Sequence, residues 1–300
     1  MRRKIEGFLC GLLTGVLLLS LSGCVNQHPE LSDATPAGES GTENLRIAAT
    51  SVAVMQICEK LDLDLVGVPH SDLAEIPQRY QTAVSLGSPM SPDMEILLQI
   101  RPDWVLSPSS LMSDLKPKYE AAGLQYAFLN LKSIQGMFQS IKEMGTLFHR
   151  ESQAEALVQE FETYEAEFQA KSENQGSPRV LILMGLPGSY VAATENSYVG
   201  SLVKMAGGIN VYEGTGEEFL NVNAEDMLQK DPDIILRTAH AMPDSVMKMF
   251  AEEFETNDIW KHFRAVEDGK VYDLSNEAFG MSANFHYPEA LNTLEGLLYE

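Results

Sequence analysis

Residues 87–107 read GSPMSPDMEILLQIRPDWVLS, a pattern that predicts a tight loop, a short helix and then a short strand. Pro89 excludes a helix before Met90, because proline interrupts regular structure. Ser91 is a suitable N-cap, and Pro92 suits the first helical position. Met90 is therefore expected in a loop at the start of a helix, an unusual place for a large apolar side chain that normally fills a core.

The same pattern recurs later in the chain. Residues 225–236 read EDMLQKDPDIIL, and Glu95 and Glu225 each lie seven residues before a proline-aspartate pair that leads into an apolar strand. Both carboxylates fall in the first turn of a predicted helix, where the helix dipole stabilises negative charge. A repeat of this length predicts two similar α/β halves, although a helix, a proline-aspartate turn and a strand also form a common unit.

The order of apolar runs and helical patterns predicts the fold class. Strand-like and helix-like segments alternate from residue 45 onward, which predicts a parallel sheet covered by helices on both faces. The helical pattern over 151–173 is too long for a crossover within a compact domain. We therefore predict an α/β protein with two Rossmann-like lobes joined by a single long helix, with lobes at 45–150 and 174–300 and the linking helix at 151–173.

The first 44 residues are predicted to target and tether the protein. A basic start is followed by an apolar run over residues 8–21, short for a membrane-spanning helix and typical of a signal peptide over residues 1–23. The sequence LSGC ending at Cys24 is typical of a bacterial lipobox, so we expect acyl chains such as palmitate on Cys24. Residues 24–44 are polar and form a flexible tether. The folded part is thus expected at the extracytoplasmic face of the cell membrane, anchored in the lipid bilayer.

Composition excludes several classes of function. The chain has 43 Asp and Glu against 21 Lys and Arg, with no basic stripe, which excludes nucleic acid as a partner. Three cysteines make no disulfide framework, and Cys58 is expected to be a buried structural thiol. The six histidines show no zinc-binding spacing, and the sequence has neither a nucleophile elbow nor a phosphate-binding loop.

Met90 and His240 are the candidate ligands for a metal centre. In open α/β sheets, ligands bind at the carboxyl ends of strands, where the loops of the two lobes should face one cleft. Because Met90 and His240 belong to the two halves of the repeat, they are expected to follow matched strands and to face each other across this cleft. Taken singly, each is more often a packing or surface residue. As a pair, a thioether and an imidazole fill both axial positions of haem iron, which suits carrying haem rather than reacting with it.

Four strings in the chain resemble the haem-binding lipoproteins of the iron-regulated surface determinant (Isd) type of haem ABC importer. These lipoproteins are class III substrate-binding proteins, whose two lobes are joined by one long helix. The resemblance covers the chain from residue 45 to 300. The resemblance rests on the strings GSPMSPDME at 87–95, PGSY at 187–190, HAMP at 240–243 and NDIWKHF at 257–263.

The resemblance implies a site and a set of partners. Haem would be cargo in a protein that is not an enzyme, with Met90 and His240 as the axial iron ligands. Glu95 and Glu225 would meet basic residues on an ABC permease dimer, and an upstream haem donor protein is expected. Backbone N–H groups at the Thr50-Ser51 helix start would hold a haem propionate, in line with anion binding at helix N-termini. The other candidate cleft and propionate contacts are His70, Tyr190 and Arg237.

Two alternatives remain open at this point. A protein of the same class that binds a ferric siderophore or cobalamin would need a wide cleft with arginine or aromatic residues and no Met–His pair. A lipid-anchored haem enzyme would need an open iron position or a catalytic acid–base pair.

Overall fold

The computed structural model describes residues 45–71, 74–172 and 176–299. The predicted signal peptide and the whole predicted tether, including Cys24, lie outside these ranges. Within them, no helix combines the length and the apolar character required to cross a bilayer.

The first half of the described chain folds around a five-stranded parallel sheet with strand order β3-β2-β1-β4-β5. Its strands are β1 (Ile47–Ala49), β2 (Leu65–Val68), β3 (Val84–Ser85), β4 (Trp104–Pro108) and β5 (Tyr126–Leu129). Its helices are α1 (Val52–Lys60), α2 (Met94–Ile100), α3 (Met112–Ala121) and α4 (Ile134–Leu147). Ile47 and Ala49 pack into one apolar cluster and Ala48 into another, so both faces of the sheet are covered.

The second half contains a six-stranded mixed sheet with strand order β11-β10-β6-β7-β9, and β8 also pairs with β6. Its strands are β6 (Arg179–Leu186), β7 (Ser189–Ala193), β8 (Ile209–Asn210), β9 (Phe219–Leu220), β10 (Ile234–Ala239) and β11 (Val271–Asp273). Its helices are α6 (Tyr198–Met205), α7 (Ala224–Gln229), α8 (Pro243–Thr256), α9 (Arg264–Glu267) and α10 (Tyr287–Tyr299). The prediction of a purely parallel sheet is wrong here. A tight turn, with Gly188 at φ +82°, folds β7 back antiparallel on β6.

A long helix, α5 (Glu151–Ser172), lies between the two sheets in the chain. Phe161 of α5 stacks on Phe138 of α4 with ring centroids 4.4 Å apart, and it meets Tyr287 of α10 edge to face at 5.6 Å. The Tyr164 hydroxyl donates a hydrogen bond to Pro288 O at 3.1 Å. The helix therefore packs on both halves, which gives the two-lobe α/β architecture of class III. Helix α5 begins at the predicted residue 151 and is described to residue 172, while the domain limits at 150, 173 and 174 stay predictions.

The two copies of the sequence repeat also begin their helices in the same way. Asp93 caps α2 by accepting hydrogen bonds from two backbone N–H groups, and Asn223 caps α7 in the same way through one such group. The prediction that Ser91 is the N-cap is wrong, because the helix begins two residues later than expected. Glu95 and Glu225 each occupy the second position of their helix, and both are exposed.

Hydrogen bonds around the proline-aspartate turns repeat as well. The Asp103 carboxylate accepts from Arg46 N at 2.8 Å, and the Asp233 carboxylate accepts from Arg179 N at 2.7 Å. Each arginine guanidinium also donates to a carbonyl oxygen at the end of the preceding helix, α2 or α7. Arg46 directly precedes β1, and Arg179 is the first residue of β6, so in both blocks the bonds join the turn to the start of a central strand. The two blocks are therefore equivalent in structure as well as in sequence.

We expect Gly200→Ala to lower the free energy of unfolding by about 2 kcal/mol. A Cβ at Gly200 would lie 1.8 Å from Thr194 O, and this close approach allows the Ser197 cap to bond Gly200 N at 3.0 Å. The backbone must move to admit the methyl group, and urea denaturation measures the loss. Gly176→Ala is the control, since no atom lies within 4 Å of a Cβ there. Equal midpoints for the two variants would contradict the close approach.

Candidate ligand-binding cleft

A cavity of about 480 Å³ lies between segments of the two halves. The first half contributes the start of α1, which follows β1, and Pro89. The second half contributes His240, which follows β10, and an irregular segment between β11 and α10. The volume falls within the range of small-molecule sites, and the position beyond strand ends is where open α/β sheets bind ligands.

The imidazole of His240 lines this cavity. Its backbone N–H donates to Gly185 O at 2.9 Å, which holds the residue at the end of the sheet. The Nδ1 atom is buried and has no hydrogen-bond partner among the described residues. Burial lowers the pKa of His240 below its ordinary value, so the ring is neutral at pH 7. A neutral imidazole held at a cavity wall can offer a nitrogen lone pair to a metal.

We expect the His240 imidazole to titrate below its ordinary value of 6.5 in the ligand-free protein. The unfolded chain binds this proton more readily than the folded one, so the stability contributed by neutral His240 is present above pH 6.5 and is lost as the pH falls below it. An NMR titration of the histidine ring protons measures the midpoint, with His240→Ala to assign the resonance. A midpoint at or above 6.5 would contradict the burial of this ring.

Met90 lies in the turn before α2, and the residue is 60% exposed. Its neighbour Pro89 lines the cavity, whereas Met90 itself does not. The prediction that Met90 and His240 follow matched strands is wrong. Met90 follows β3, whereas the counterpart of β10 in the repeat is β4, and Ser110 occupies the place that corresponds to His240. Of the two candidate ligands, His240 lines the cavity, and the residue before Met90, Pro89, lines it as well.

Thr50 belongs to the first sheet rather than to the cleft. Its side chain is fully buried, and Oγ1 lies 2.8 Å from Ser107 Oγ. Its backbone N–H donates to Leu106 O at 3.0 Å. The structure therefore does not support Thr50 as a cleft contact, because both of its donors are used within the core.

The start of α1 does face the cavity. Ser51 lines it, but its hydroxyl serves as the N-cap and accepts from Val54 N at 3.3 Å. Val52 and Ala53 also line the cavity, and the first N–H groups of a helix have no acceptor within the helix. The N–H groups expected to bind an anion are therefore those of Val52 and Ala53, two residues beyond the predicted pair Thr50-Ser51.

Arg237 and Tyr190 do not line the cavity. The Arg237 guanidinium makes two hydrogen bonds to the Asp273 carboxylate, at 2.7 and 2.9 Å, and lies over the Phe254 ring at 4.7 Å. The Tyr190 hydroxyl donates to a Glu253 oxygen at 3.0 Å. Both side chains stabilise the second lobe away from the cleft, so the structure does not support their assignment to haem contacts.

His70 is exposed, and its backbone N–H donates to Gly87 O at 2.8 Å. Its neighbour Ser71 lines the cavity, while His70 does not. The segment between β11 and α10 supplies nearly half of the lining, and sequence reasoning identified only His286 in it, as a reserve ligand, while missing Glu277 and Met281. The only signal for it was its content of small and amide residues directly before a helix.

The comparisons with known proteins agree with this architecture. The family described as "Periplasmic binding protein" matches residues 47–278. The high-affinity heme uptake system protein IsdE of Staphylococcus aureus strain Newman is 39% identical over 298 residues, which is 99% of each chain. A crystal structure of S. aureus IsdE complexed with heme has 41% identity and a TM-score of 0.82, covering 86% of this chain and 100% of that one. An ABC transporter substrate-binding protein from Listeria monocytogenes EGD-e has 46% identity and a TM-score of 0.81, covering 86% and 99%.

Proposed function

Because the chain belongs to the periplasmic binding protein family, we propose that it is the haem receptor of an ABC importer, held at the extracytoplasmic face of the membrane by lipid on Cys24. It is a substrate-binding protein and not an enzyme, since its relatives carry the names of uptake and substrate-binding proteins. Haem as the cargo is supported by the similarity to a protein named for heme uptake over nearly the whole chain.

The observation that carries the proposal is the imidazole of His240 at the cavity wall. Its buried Nδ1 without a partner and its neutral state fit a ring that binds haem iron. Met90, an exposed residue that directly follows Pro89 of the cavity lining, is the proposed ligand on the opposite side of the porphyrin. With both axial positions filled, the iron has no site left for oxygen, so the haem is protected during transport.

Titration of the purified protein with haemin tests this function. We expect a saturable shift of the Soret band, and no comparable binding of a ferric siderophore or cyanocobalamin used as competing probes. If haemin gives no Soret shift, or if a siderophore or cobalamin displaces it, haem is not the cargo.

Lipid anchoring is proposed from the LSGC sequence that ends at Cys24. We expect Cys24→Ser to abolish incorporation of labelled palmitate and to release the protein from the membrane fraction, because the acylated thiol is lost. Cys58→Ser is the matched control, since Cys58 is fully buried in the first lobe and inaccessible to acylation. Palmitate incorporation that persists in the Cys24 variant would exclude this anchor.

Delivery to the permease is proposed to use Glu95 and Glu225. The support is their equivalence: each is an exposed carboxylate at the second position of a helix, and the two helices are repeats of one another. Two equivalent carboxylates on two lobes suit a dimeric partner that presents one basic patch per subunit.

A further inference from the structure

The charged side chains of the cleft are poorly matched to the two propionates of haem. Glu75 and Glu277 line the cavity, and both add negative charge. Among the described residues of the lining there is no lysine or arginine. His240 is neutral and reserved for iron in the proposed function. His286 is then the one other described side chain in the lining that can carry positive charge.

Both ring nitrogens of His286 face carboxylates. Nε2 lies 3.5 Å from Glu277 Oε1, and Nδ1 lies 3.6 Å from Glu289 Oε2. A ring protonated on both nitrogens can donate to a carboxylate on each side. The backbone is fixed by its own loop, because His286 N donates to Asn284 Oδ1 at 2.8 Å and Asn284 Nδ2 donates to Glu277 O at 3.1 Å.

The two carboxylates differ in their relation to the cavity. Glu277 lines it together with His286, whereas Glu289 belongs to the first turn of α10 and does not line it. The Glu277 side chain is 73% exposed and lies beyond ordinary hydrogen-bond distance from the ring. Water screens such a pair, so its contribution is small and its partner can be exchanged at little cost.

We propose that His286 binds one haem propionate, which takes the place of Glu277 beside Nε2 while Glu289 remains beside Nδ1. The inference rests on the proposed function, since it assigns the propionate contact of the same cleft. The exchange replaces one carboxylate by another and leaves the charge around the ring unchanged. The exchange is favoured because the iron ligands already hold the porphyrin in the cleft. This raises the effective concentration of the propionate beside His286. The N–H groups of Val52 and Ala53 remain for the other propionate.

Haemin and haemin dimethyl ester separate this contact from iron ligation, because the ester keeps the iron and removes both carboxylates. We expect His286→Gln to weaken haemin binding about tenfold and to leave binding of the ester unchanged, since the hydrogen bond from the ring to the propionate is lost. We expect Glu277→Gln to tighten haemin binding several-fold without an effect on the ester, because the competing carboxylate is gone. The second variant keeps the test decisive if the first one fails to fold.

An unchanged ratio of haemin to ester affinity in both variants would overturn the inference. Loss of the six-coordinate haem spectrum in His286→Gln would also overturn it, because His286 would then be an iron ligand. Failure of the wild-type protein to bind haemin at all would instead overturn the proposed function, so the two failures are distinguishable.

Discussion

Replacing His240 with alanine is expected to weaken haemin binding by more than about 100-fold and to abolish the six-coordinate Soret spectrum. The reason is that the ring supplies the proposed strong axial ligand, and loss even of groups that only orient a metal ligand costs 10–100-fold. Soret titrations of wild type and variant measure both effects. His262→Ala is the matched control, because His262 is exposed and does not line the cleft.

Met90→Ala should have a smaller effect on affinity than the loss of His240. Met90 is 60% exposed, so water can enter the vacated iron position. The expected signature is loss of the methionine–iron charge-transfer band with a retained, altered Soret band. If the His240 variant binds like wild type, or if the Met90 variant keeps that band, the ligand pair is wrongly assigned.

The two-lobe fold could be predicted from the sequence because its signals are local. Each capped helix, proline-aspartate turn and apolar strand lies within a dozen residues, and the copies at Glu95 and Glu225 made the repeat visible. The exact cap was missed at Ser91 because Ser91 and Asp93 are both good caps, and only the folded geometry selects the aspartate. The hairpin that reverses β7 was missed because the apolar runs on either side of Gly188 carry no information about strand direction.

The contacts of Arg237 illustrate what local reasoning lacks. Alternation along β10 places Arg237 on the same face as Ile235, but the sequence does not tell which face looks toward the cleft. That face is covered by α8, and the Arg237 guanidinium donates a hydrogen bond to Asp273 on the neighbouring strand β11. The partner lies 36 residues away, so the ion pair depends on the assembled sheet. The same limit applies to His286, whose place in the cavity that His240 also lines depends on the path of an irregular segment.

Reversing both Glu95 and Glu225 to lysine is expected to abolish haem uptake by cells and to leave haemin binding by the purified protein unchanged. Each carboxylate is exposed and lies outside the cavity, so haem contacts are preserved. A lysine at a helix N-terminus costs only about 0.3–1 kcal/mol, so the fold is retained. At the interface, like charges placed opposite one another cost several kcal/mol, which is enough to prevent docking.

The control for this double variant must reproduce its change in net charge. The double variant Glu155→Lys/Glu162→Lys does so on the exposed surface of α5, a different helix from α2 and α7, and should leave uptake unchanged. Uptake is measured with iron-labelled haem in cells that lack the native receptor. Normal uptake by the Glu95 and Glu225 variant would exclude the two carboxylates from docking. Loss of haemin binding in the same variant would show that they act on the cleft instead, since a docking contact is required only after the cargo has been bound.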